Sequence, residues 1–228
     1  MTASYPSAEL KQKAFWQILV GFSVLAALFF LSAGTVCYWE AWLYMAVLLV
    51  SVVWIVAYLL RQAPDLLERR MRMQEKESSQ KLIIGLSAVV VLVAFTLPGL
   101  DKRYGWSSVP PAVVIVADIG VLLSYAIFAL VLKENRYASR IIEVEQQQVV
   151  ISTGPYAVIR HPMYFAVIVL YVFSPIALGS YWAMIPVVAL PGLLVARIHV
   201  EEALLNRELK GYREYMQTVK YRLIPGVW

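Results

Sequence analysis

The residues best suited to chemistry in this chain of 228 residues lie at the two ends of one apolar stretch, 161–196. Its start carries the sequence Gly-Pro-Tyr-Ala-Val-Ile-Arg-His-Pro-Met-Tyr, residues 154–164, which includes one of the two histidines, His161. Its far end is followed by Arg197, the second histidine and the pair Glu201-Glu202. Imidazole, guanidinium and carboxylate groups bind ions and donate or accept hydrogen bonds, so both ends are candidate parts of one polar site.

The pair His161-Pro162 predicts the start of a helix. Proline is favoured at the first helical position, and the residue before it is kept out of the helical region. His161 would then precede a helix whose free N–H groups suit a carboxylate or phosphate, with Tyr164 on the same face. The pattern fits a small-molecule pocket with an anion-binding end and aromatic walls. It fits equally an interfacial turn held by hydrogen bonds of His161 and Tyr164.

At the far end, Arg197 and Glu201 are four residues apart and share one helix face. They form either an ordinary surface ion pair, which is worth little, or a pair whose carboxylate faces a bound cation and whose arginine faces a bound anion. Their position at the end of an apolar stretch favours the binding site. His199 and Glu201 are two residues apart and point in different directions on a helix, so we expect no metal site.

The composition predicts an all-α polytopic membrane protein. Of the residues, 61% are apolar and only 15% are charged, against about 25% in soluble domains. Apolar runs at 15–36, 41–60, 82–100 and 112–132 are long enough to cross a bilayer as helices. The stretch 161–196 is too short for two full spans and a turn, so we expect a compressed helical hairpin and about six spans in all. Both ends of a hairpin lie on one side, which would place His161 close to Arg197, Glu201 and Glu202.

The basic residues are distributed asymmetrically. With six spans and the N-terminus inside, 18 of the 20 Lys and Arg residues face the cytoplasm, as the positive-inside rule predicts. This distribution explains the formal net charge of +5 without a nucleic-acid partner, and it predicts cytoplasmic termini and a cytoplasmic site. Cys37 is the only cysteine, which excludes an internal disulfide and a cysteine-based zinc site.

Four further features complete the prediction. A helix that begins at Pro64, in the loop 61–81, is interpreted as solvated or interfacial. Residues 146–151 are β-branched or glutamine and indicate an extended segment that leads into the Gly-Pro turn. The tail 197–228 is predicted to be a charged amphipathic helix punctuated by glycine and proline. Asp118 is interpreted as an interfacial or hydrogen-bonded structural residue.

Taken in order, these motifs resemble those of the isoprenylcysteine carboxyl methyltransferase family. The matching positions lie within 133–228 and are Gly154-Pro155-Tyr156, Arg160-His161-Pro162-x-Tyr164, Glu201-Glu202 and Gly211-Tyr212-x-x-Tyr215. Related membrane methyltransferases that act on phospholipid amines or on methanethiol share this C-terminal pattern. The resemblance implies N-terminal transmembrane helices over 1–132 and, over 133–228, a core that binds S-adenosylmethionine (SAM). The hairpin and the tail would close the cofactor pocket, which would open towards the lipid.

By position, the resemblance also implies roles for single residues. Arg197 would face the substrate as the catalytic residue. The implied cofactor contacts are Gln148, Val149, Val150, Ile151, Tyr156, His161, Pro162, Met163, Tyr164 and one of Glu201 and Glu202. SAM carries a sulfonium cation, an amino-acid moiety and an adenine, which suit aromatic side chains, a glutamate and backbone N–H groups.

The implied methyl acceptor is a lipophilic or lipid-modified molecule taken from the membrane, in the first place a carboxylate such as that of a prenylcysteine. A carboxylate is already a nucleophile and needs alignment more than a base. A phospholipid amine or a small thiol is the alternative on the same fold and would need a proton acceptor. The alternative of another class is a non-enzymatic membrane binding protein or a transporter. A transporter would place polar groups at the bilayer midplane, and the sequence shows no clear candidate there.

Overall fold

The computed structural model describes residues 7–71, 78–138, 144 and 147–228, and every regular element within them is helical. The helices are α1 (Ala8–Ala33), α2 (Trp39–Gln62), α3 (Pro64–Arg70), α4 (Ser78–Tyr104), α5 (Pro111–Glu134), a 3₁₀ turn (Gly154–Ala157), α6 (Pro162–Ala177), α7 (Met184–Val187), α8 (Leu190–Glu208) and α9 (Tyr212–Thr218). The predicted all-α class is therefore confirmed.

Within the part of the chain that the structure describes, five segments are long and apolar enough to cross a membrane, which makes the chain a multi-pass membrane protein. They are Ala8–Ala33, Trp39–Gln62, Lys81–Tyr104, Pro111–Glu134 and Met184–Glu208. Helix α6 has 16 residues and spans about 24 Å, less than the roughly 30 Å of a bilayer core. The short arm of the hairpin is therefore its first arm, α6. The second arm, Met184–Glu208, is long enough to cross a membrane.

Prolines mark the starts of the helices that carry the hairpin and its neighbour. Pro111 and Pro162 both occupy first-turn positions, where the missing N–H costs no hydrogen bond. Helix α5 then packs closely along α6, because Gly120 leaves space for the ring of Phe173. A β-carbon at Gly120 would lie 2.4 Å from Cγ of that ring. The glycine thus allows the approach that holds α6 against the bundle.

Helix α3 buries one side against the bundle, whereas its interfacial position stays a prediction. Leu66 and Leu67 are buried and pack with Leu59 of α2 and Leu132 of α5. The acidic residues of α3, Asp65 and Glu68, are exposed, whereas the guanidinium of Arg70 lies over the ring of Phe128. Arg70 donates a 2.8 Å hydrogen bond to the carbonyl of Ala138, so α3 also holds the chain that follows α5.

The tail is not one amphipathic helix. Helix α8 continues through Arg197 without a break and ends at Glu208. Gly211 then adopts a φ of +89°, a conformation that ordinary side chains disfavour, and the short α9 follows. Beyond Thr218 the chain is non-helical, because its backbone carbonyls accept hydrogen bonds from residues 160 and 161 instead of completing a helix.

Asp118 also differs from its interpretation as an interfacial or hydrogen-bonded residue. Its side chain is buried in α5, and neither carboxylate oxygen has a hydrogen-bond partner among the described residues. Position near the end of a span suggested solvent contact, but the neighbouring helices cover this face of α5. Residues 148–152 form no helix, in agreement with the prediction for 146–151, whereas Gln146 lies outside the described residues.

Candidate active site

The hairpin formed by α6, α7 and α8 returns both of its ends to one end of the bundle, which we call the site end. His161 Nε2 lies 3.2 Å from Glu202 Oε1, and His161 Nδ1 lies 4.0 Å from Glu201 Oε1. The geometry inferred from the length of the apolar stretch is therefore observed. It joins a histidine to two carboxylates that are about 40 residues away in sequence.

Glu202 is the centre of a buried charge cluster. Arg160 Nε donates to Glu202 Oε1 at 2.7 Å, and Arg222 Nε donates to Oε2 at 2.8 Å. The side chains of Arg160, His161 and Glu202 are all less than a tenth exposed. A buried carboxylate is tolerated when opposite charges and hydrogen bonds replace water, and both are present here.

A second set of hydrogen bonds links the two arms of the hairpin. Arg197 Nε donates to the hydroxyl of Tyr164 at 3.0 Å, and this hydroxyl donates in turn to Glu201 Oε2. The imidazole of His161 lies beside the Tyr164 ring, with 5.6 Å between centroids. One phenol therefore connects the candidate catalytic arginine to the neighbouring carboxylate.

The start of α6 does not offer all the free N–H groups that the sequence suggested. The backbone N–H groups of Arg160 and His161 donate to the carbonyls of Tyr221 and Arg222, each at 2.9 Å. His161 occupies the position before the helix, but its side chain makes no capping hydrogen bond and turns to Glu202 instead. The tail thus uses donors that would otherwise be available to an anion.

One cavity at the site end brings most of the predicted site residues together. Of the twelve residues, ten line it: Gln148, Val149, Val150, Ile151, Tyr156, His161, Met163, Tyr164, Arg197 and Glu201. Pro162 and Glu202 do not line the cavity. Pro162 is buried at the start of α6. The Glu202 side chain is also buried and faces the arginines instead of the cavity. The ligand roles of the ten residues remain predictions.

The rotation of α8 separates the roles of the two glutamates. Successive helical residues point about 100° apart, so one carboxylate faces the cavity when the other faces the protein. The Glu201 side chain is 24% exposed and lines the cavity, whereas the Glu202 side chain is 8% exposed. Glu201 is therefore the glutamate placed to contact a ligand.

Several residues of the cavity were not predicted. They are Asn135, Tyr137, Ala138, Arg160, Leu205, Leu209, Tyr212 and Tyr215. The Gly-Tyr-x-x-Tyr pattern pointed to the two tyrosines of α9 as part of the motif, but nothing in their spacing indicated that they face the pocket. Asn135 and Tyr137 lie just after α5. They line the cavity together with residues that come later in the chain, so their place follows from the tertiary fold.

Tyr212 is the clearest of these omissions. Its side chain is almost fully buried, and its hydroxyl has no hydrogen-bond partner among the described residues. Burial, followed by the charges of Glu202 and Glu201, raises the pKa of Tyr212 well above its usual value. The hydroxyl therefore keeps its proton at neutral pH and is a donor that a ligand in the cavity could satisfy.

Tyr156 is fixed from two sides. Its hydroxyl accepts a hydrogen bond from Asn135 Nδ2 at 2.9 Å, and its backbone carbonyl accepts one from the Tyr215 hydroxyl at 2.7 Å. Burial raises the pKa of Tyr156 to about 12, so the phenol stays neutral. Gly154 starts the turn that carries it with a φ of +55°, which favours glycine. A rigid aromatic wall results.

The comparison with known proteins points in one direction. Residues 113–207 match the model of the isoprenylcysteine carboxyl methyltransferase (ICMT) family. No match is found among curated proteins. The matched range runs from α5 into the end of α8, so it contains His161, Arg197 and both glutamates of the site but not residues 208–228. The similarity supports a membrane methyltransferase.

Proposed function

From this similarity, we propose that the chain is a membrane methyltransferase that uses SAM to methylate a carboxylate on a lipophilic acceptor of the prenylcysteine type. The observation that carries the proposal is the cavity itself. It presents a carboxylate, Glu201, and a guanidinium, Arg197, from one helix face beside Tyr164. A cationic cofactor and an anionic acceptor need such a pair of opposite charges in one desolvated space.

The residues present fit the cofactor. Glu201 suits the ammonium group of SAM, and the rings of Tyr156 and Tyr164 offer aromatic faces to the adenine or the sulfonium. Val149 and Ile151 give the same cavity an apolar wall. The buried hydroxyl of Tyr212, which has no hydrogen-bond partner in the described part of the chain, supports the fit most directly, because a buried donor without a partner is rare in a folded protein.

The chemistry asked of the protein is alignment. When bound, SAM supplies an electrophilic methyl group on its sulfonium sulfur. Arg197 would orient the carboxylate of the acceptor, and no side chain would have to remove a proton, because a carboxylate is already a nucleophile. Alignment within a cavity that excludes water accounts for large rate enhancements without a base.

The proposal includes an orientation in the membrane. The distribution of 18 of the 20 Lys and Arg residues supports cytoplasmic termini and a cytoplasmic site end. The acceptor would then reach the cavity from the surrounding lipid, with its charged carboxylate at the membrane surface and its apolar part among the acyl chains.

The first experiment is calorimetric titration of the detergent-purified chain with SAM. We expect His161→Ala to weaken binding tenfold or more, because it removes a ring that lines the cavity. His199→Ala is the matched control, since the ring of His199 packs against Trp228 and is not part of the cavity lining. Absence of binding to the folded wild-type chain would contradict the proposal.

The acceptor is tested separately with SAM labelled in its methyl group. A prenylcysteine in detergent should gain label, and its carboxamide should not, because only the free carboxylate can form the methyl ester. Transfer to a phospholipid amine or a thiol, with none to the prenylcysteine, would replace the proposed acceptor by the alternative class while leaving the cofactor in place.

A further inference from the structure

Glu202 combines two features that a ligand contact would not be expected to have. It points away from the cavity, and both of its oxygens are already occupied by protein donors. Oε1 accepts from Arg160 and lies within hydrogen-bond distance of His161, while Oε2 accepts from Arg222. The side chain therefore acts on other protein residues.

The two arginines determine the protonation state of this carboxylate. Arginine is charged at all relevant pH values and only donates hydrogen bonds. With one guanidinium on each oxygen, Glu202 is ionised and can only accept. The proton in the contact between Glu202 Oε1 and His161 Nε2 must therefore belong to the histidine.

The tautomer of His161 follows from this constraint, because the hydrogen bond made by one ring nitrogen decides which nitrogen is protonated. With the proton on Nε2, the other nitrogen of a neutral ring carries a lone pair. That nitrogen, Nδ1, lies on the side of Glu201 at 4.0 Å from Oε1, too far for a direct hydrogen bond. Both side chains line the cavity.

We propose that Glu202, clamped between Arg160 and Arg222, is a positioning residue that keeps the proton of His161 on Nε2, so that Nδ1 and Glu201 Oε1 form a pair of acceptors for an ammonium group in the cavity. The tautomer rests on the geometry alone, whereas assigning the ammonium to SAM rests on the proposed function. Two acceptors about 4 Å apart can share the hydrogens of one ammonium.

The proposal gives the tail a role in the site. Arg222 lies beyond the range that matches the ICMT family, and the tail holds Arg160 as well. Arg160 Nη1 donates to the carbonyls of Val219 and Lys220 at 2.8 and 2.9 Å, and the backbone of Arg222 accepts from the His161 N–H. The segment 219–222 therefore fixes the backbone of His161 and the carboxylate that orients its ring.

The tautomer can be measured directly by solid-state ¹⁵N NMR on histidine-labelled protein in bilayers. The chain has two histidines, so a His199→Gln background leaves the signals of His161 alone. We expect Nε2 to show the shift of a protonated nitrogen and Nδ1 that of an unprotonated one at neutral pH. A protonated Nδ1, in either the other tautomer or an imidazolium, would overturn the proposal.

Three variants test the contact between Glu202 and its two arginines. Glu202→Gln offers an amide that can donate as well as accept, so we expect part of His161 to change to the Nδ1-protonated tautomer. Arg222→Lys keeps a charge near Oε2 and should preserve the wild-type spectrum, whereas Arg222→Ala should move it towards that of Glu202→Gln. An unchanged spectrum in both Glu202→Gln and Arg222→Ala would contradict the positioning role. If these variants do not fold, the wild-type spectrum still decides the tautomer.

The ammonium subsite has its own readout. Calorimetry compares S-adenosylhomocysteine with an analogue that lacks the amino group. The wild-type chain should bind the analogue at least tenfold more weakly, and this ratio should fall to less than threefold in Glu202→Gln. Equal affinities in the wild type would overturn the subsite. If neither compound binds, the proposed function and the subsite fail, and the NMR result on Glu202 stands by itself.

Discussion

Two buried polar clusters lie at opposite ends of the bundle, and they are built differently. At the bend end, where residues 178–183 join α6 to α7, Asp101 is 1% exposed. It accepts hydrogen bonds from the backbone and hydroxyl of Ser107, both at 2.6 Å, and from the hydroxyl of Ser180. At the site end, Glu202 is just as well satisfied, but Glu201 beside it faces a cavity.

The bend-end cluster connects elements of the bundle. Lys102 Nζ pairs with both oxygens of Glu40 at 2.9 and 3.1 Å, and the hydroxyl of Tyr38 donates to the carbonyl of Leu178. These contacts join α2, α4 and the bend of the hairpin. None of these residues is among those that line the cavity at the site end.

The comparison shows that buried charge alone does not identify a functional site. Both clusters contain ionised side chains with several hydrogen bonds, as folding requires of buried charge. The site end differs because it leaves groups for a ligand: a partly exposed carboxylate at Glu201 and the hydroxyl of Tyr212, which no described residue satisfies. The predictions that follow separate the two ends by asking which change affects stability and which affects binding.

The largest expected effect is on stability, at the bend end. Asp101→Ala would leave three donors without an acceptor, two on the partly buried Ser107 and one on the buried Ser180, and we expect a loss of about 3 kcal/mol of unfolding free energy. The affinity of the remaining folded protein for SAM should stay within about twofold. Thermal unfolding in detergent measures the first quantity and calorimetry the second.

The control for this prediction is Asp65→Ala. Asp65 is 54% exposed and pairs with Arg69 one helical turn away, an arrangement that contributes about 0.5 kcal/mol or less. A loss of SAM affinity in Asp101→Ala that exceeds its loss in Asp65→Ala by tenfold would show that the bend end is coupled to binding and would break the comparison.

At the site end we expect the reverse pattern. Glu201→Gln removes the charge that faces the cavity and should weaken SAM binding about tenfold, equivalent to about 1.4 kcal/mol. Its unfolding temperature should change little, because the carboxylate is partly exposed. Glu208→Gln is the control, since Glu208 is exposed and pairs with its neighbour Arg207. Equal affinities of both variants would exclude Glu201 as a ligand contact.

Tyr212→Phe should have a smaller effect. It deletes a hydroxyl that has no partner among the described residues, so the free protein loses nothing, while the complex loses one hydrogen bond worth about 1 kcal/mol. We expect about fivefold weaker SAM binding with unchanged stability. Tyr215→Phe is the contrasting variant: its hydroxyl bonds to the carbonyl of Tyr156, so stability should fall instead.

The smallest effect is expected at Asp118. Its carboxylate is buried without a partner among the described residues, so Asp118→Asn removes a potential charge that nothing compensates. We expect stability to stay the same or to rise by up to about 1 kcal/mol, with methyl transfer unchanged. Loss of transfer in a folded Asp118→Asn chain would assign this residue a function that the packing around it does not suggest.

Much of the fold and part of the site were predictable from local sequence. The spans follow from apolar runs of bilayer length, and the starts of α5 and α6 follow from prolines at first-turn positions. The compressed hairpin was predicted from length, because the stretch 161–196 is too short for two full spans and a turn. The buried face of α3 could not be predicted, since its charged residues dominate a short and locally polar segment.

The sequence by itself determined that the long apolar segments are helical and which two segments meet, because hydrophobic length and proline act locally. Only the tertiary structure decided that Glu201 faces the cavity and Glu202 the arginines, since this depends on the rotation of α8 against α6. It also decided that Arg222 and Tyr212 belong to the site. Their contacts form only when the tail folds back across His161, and no periodicity within the tail encodes that return.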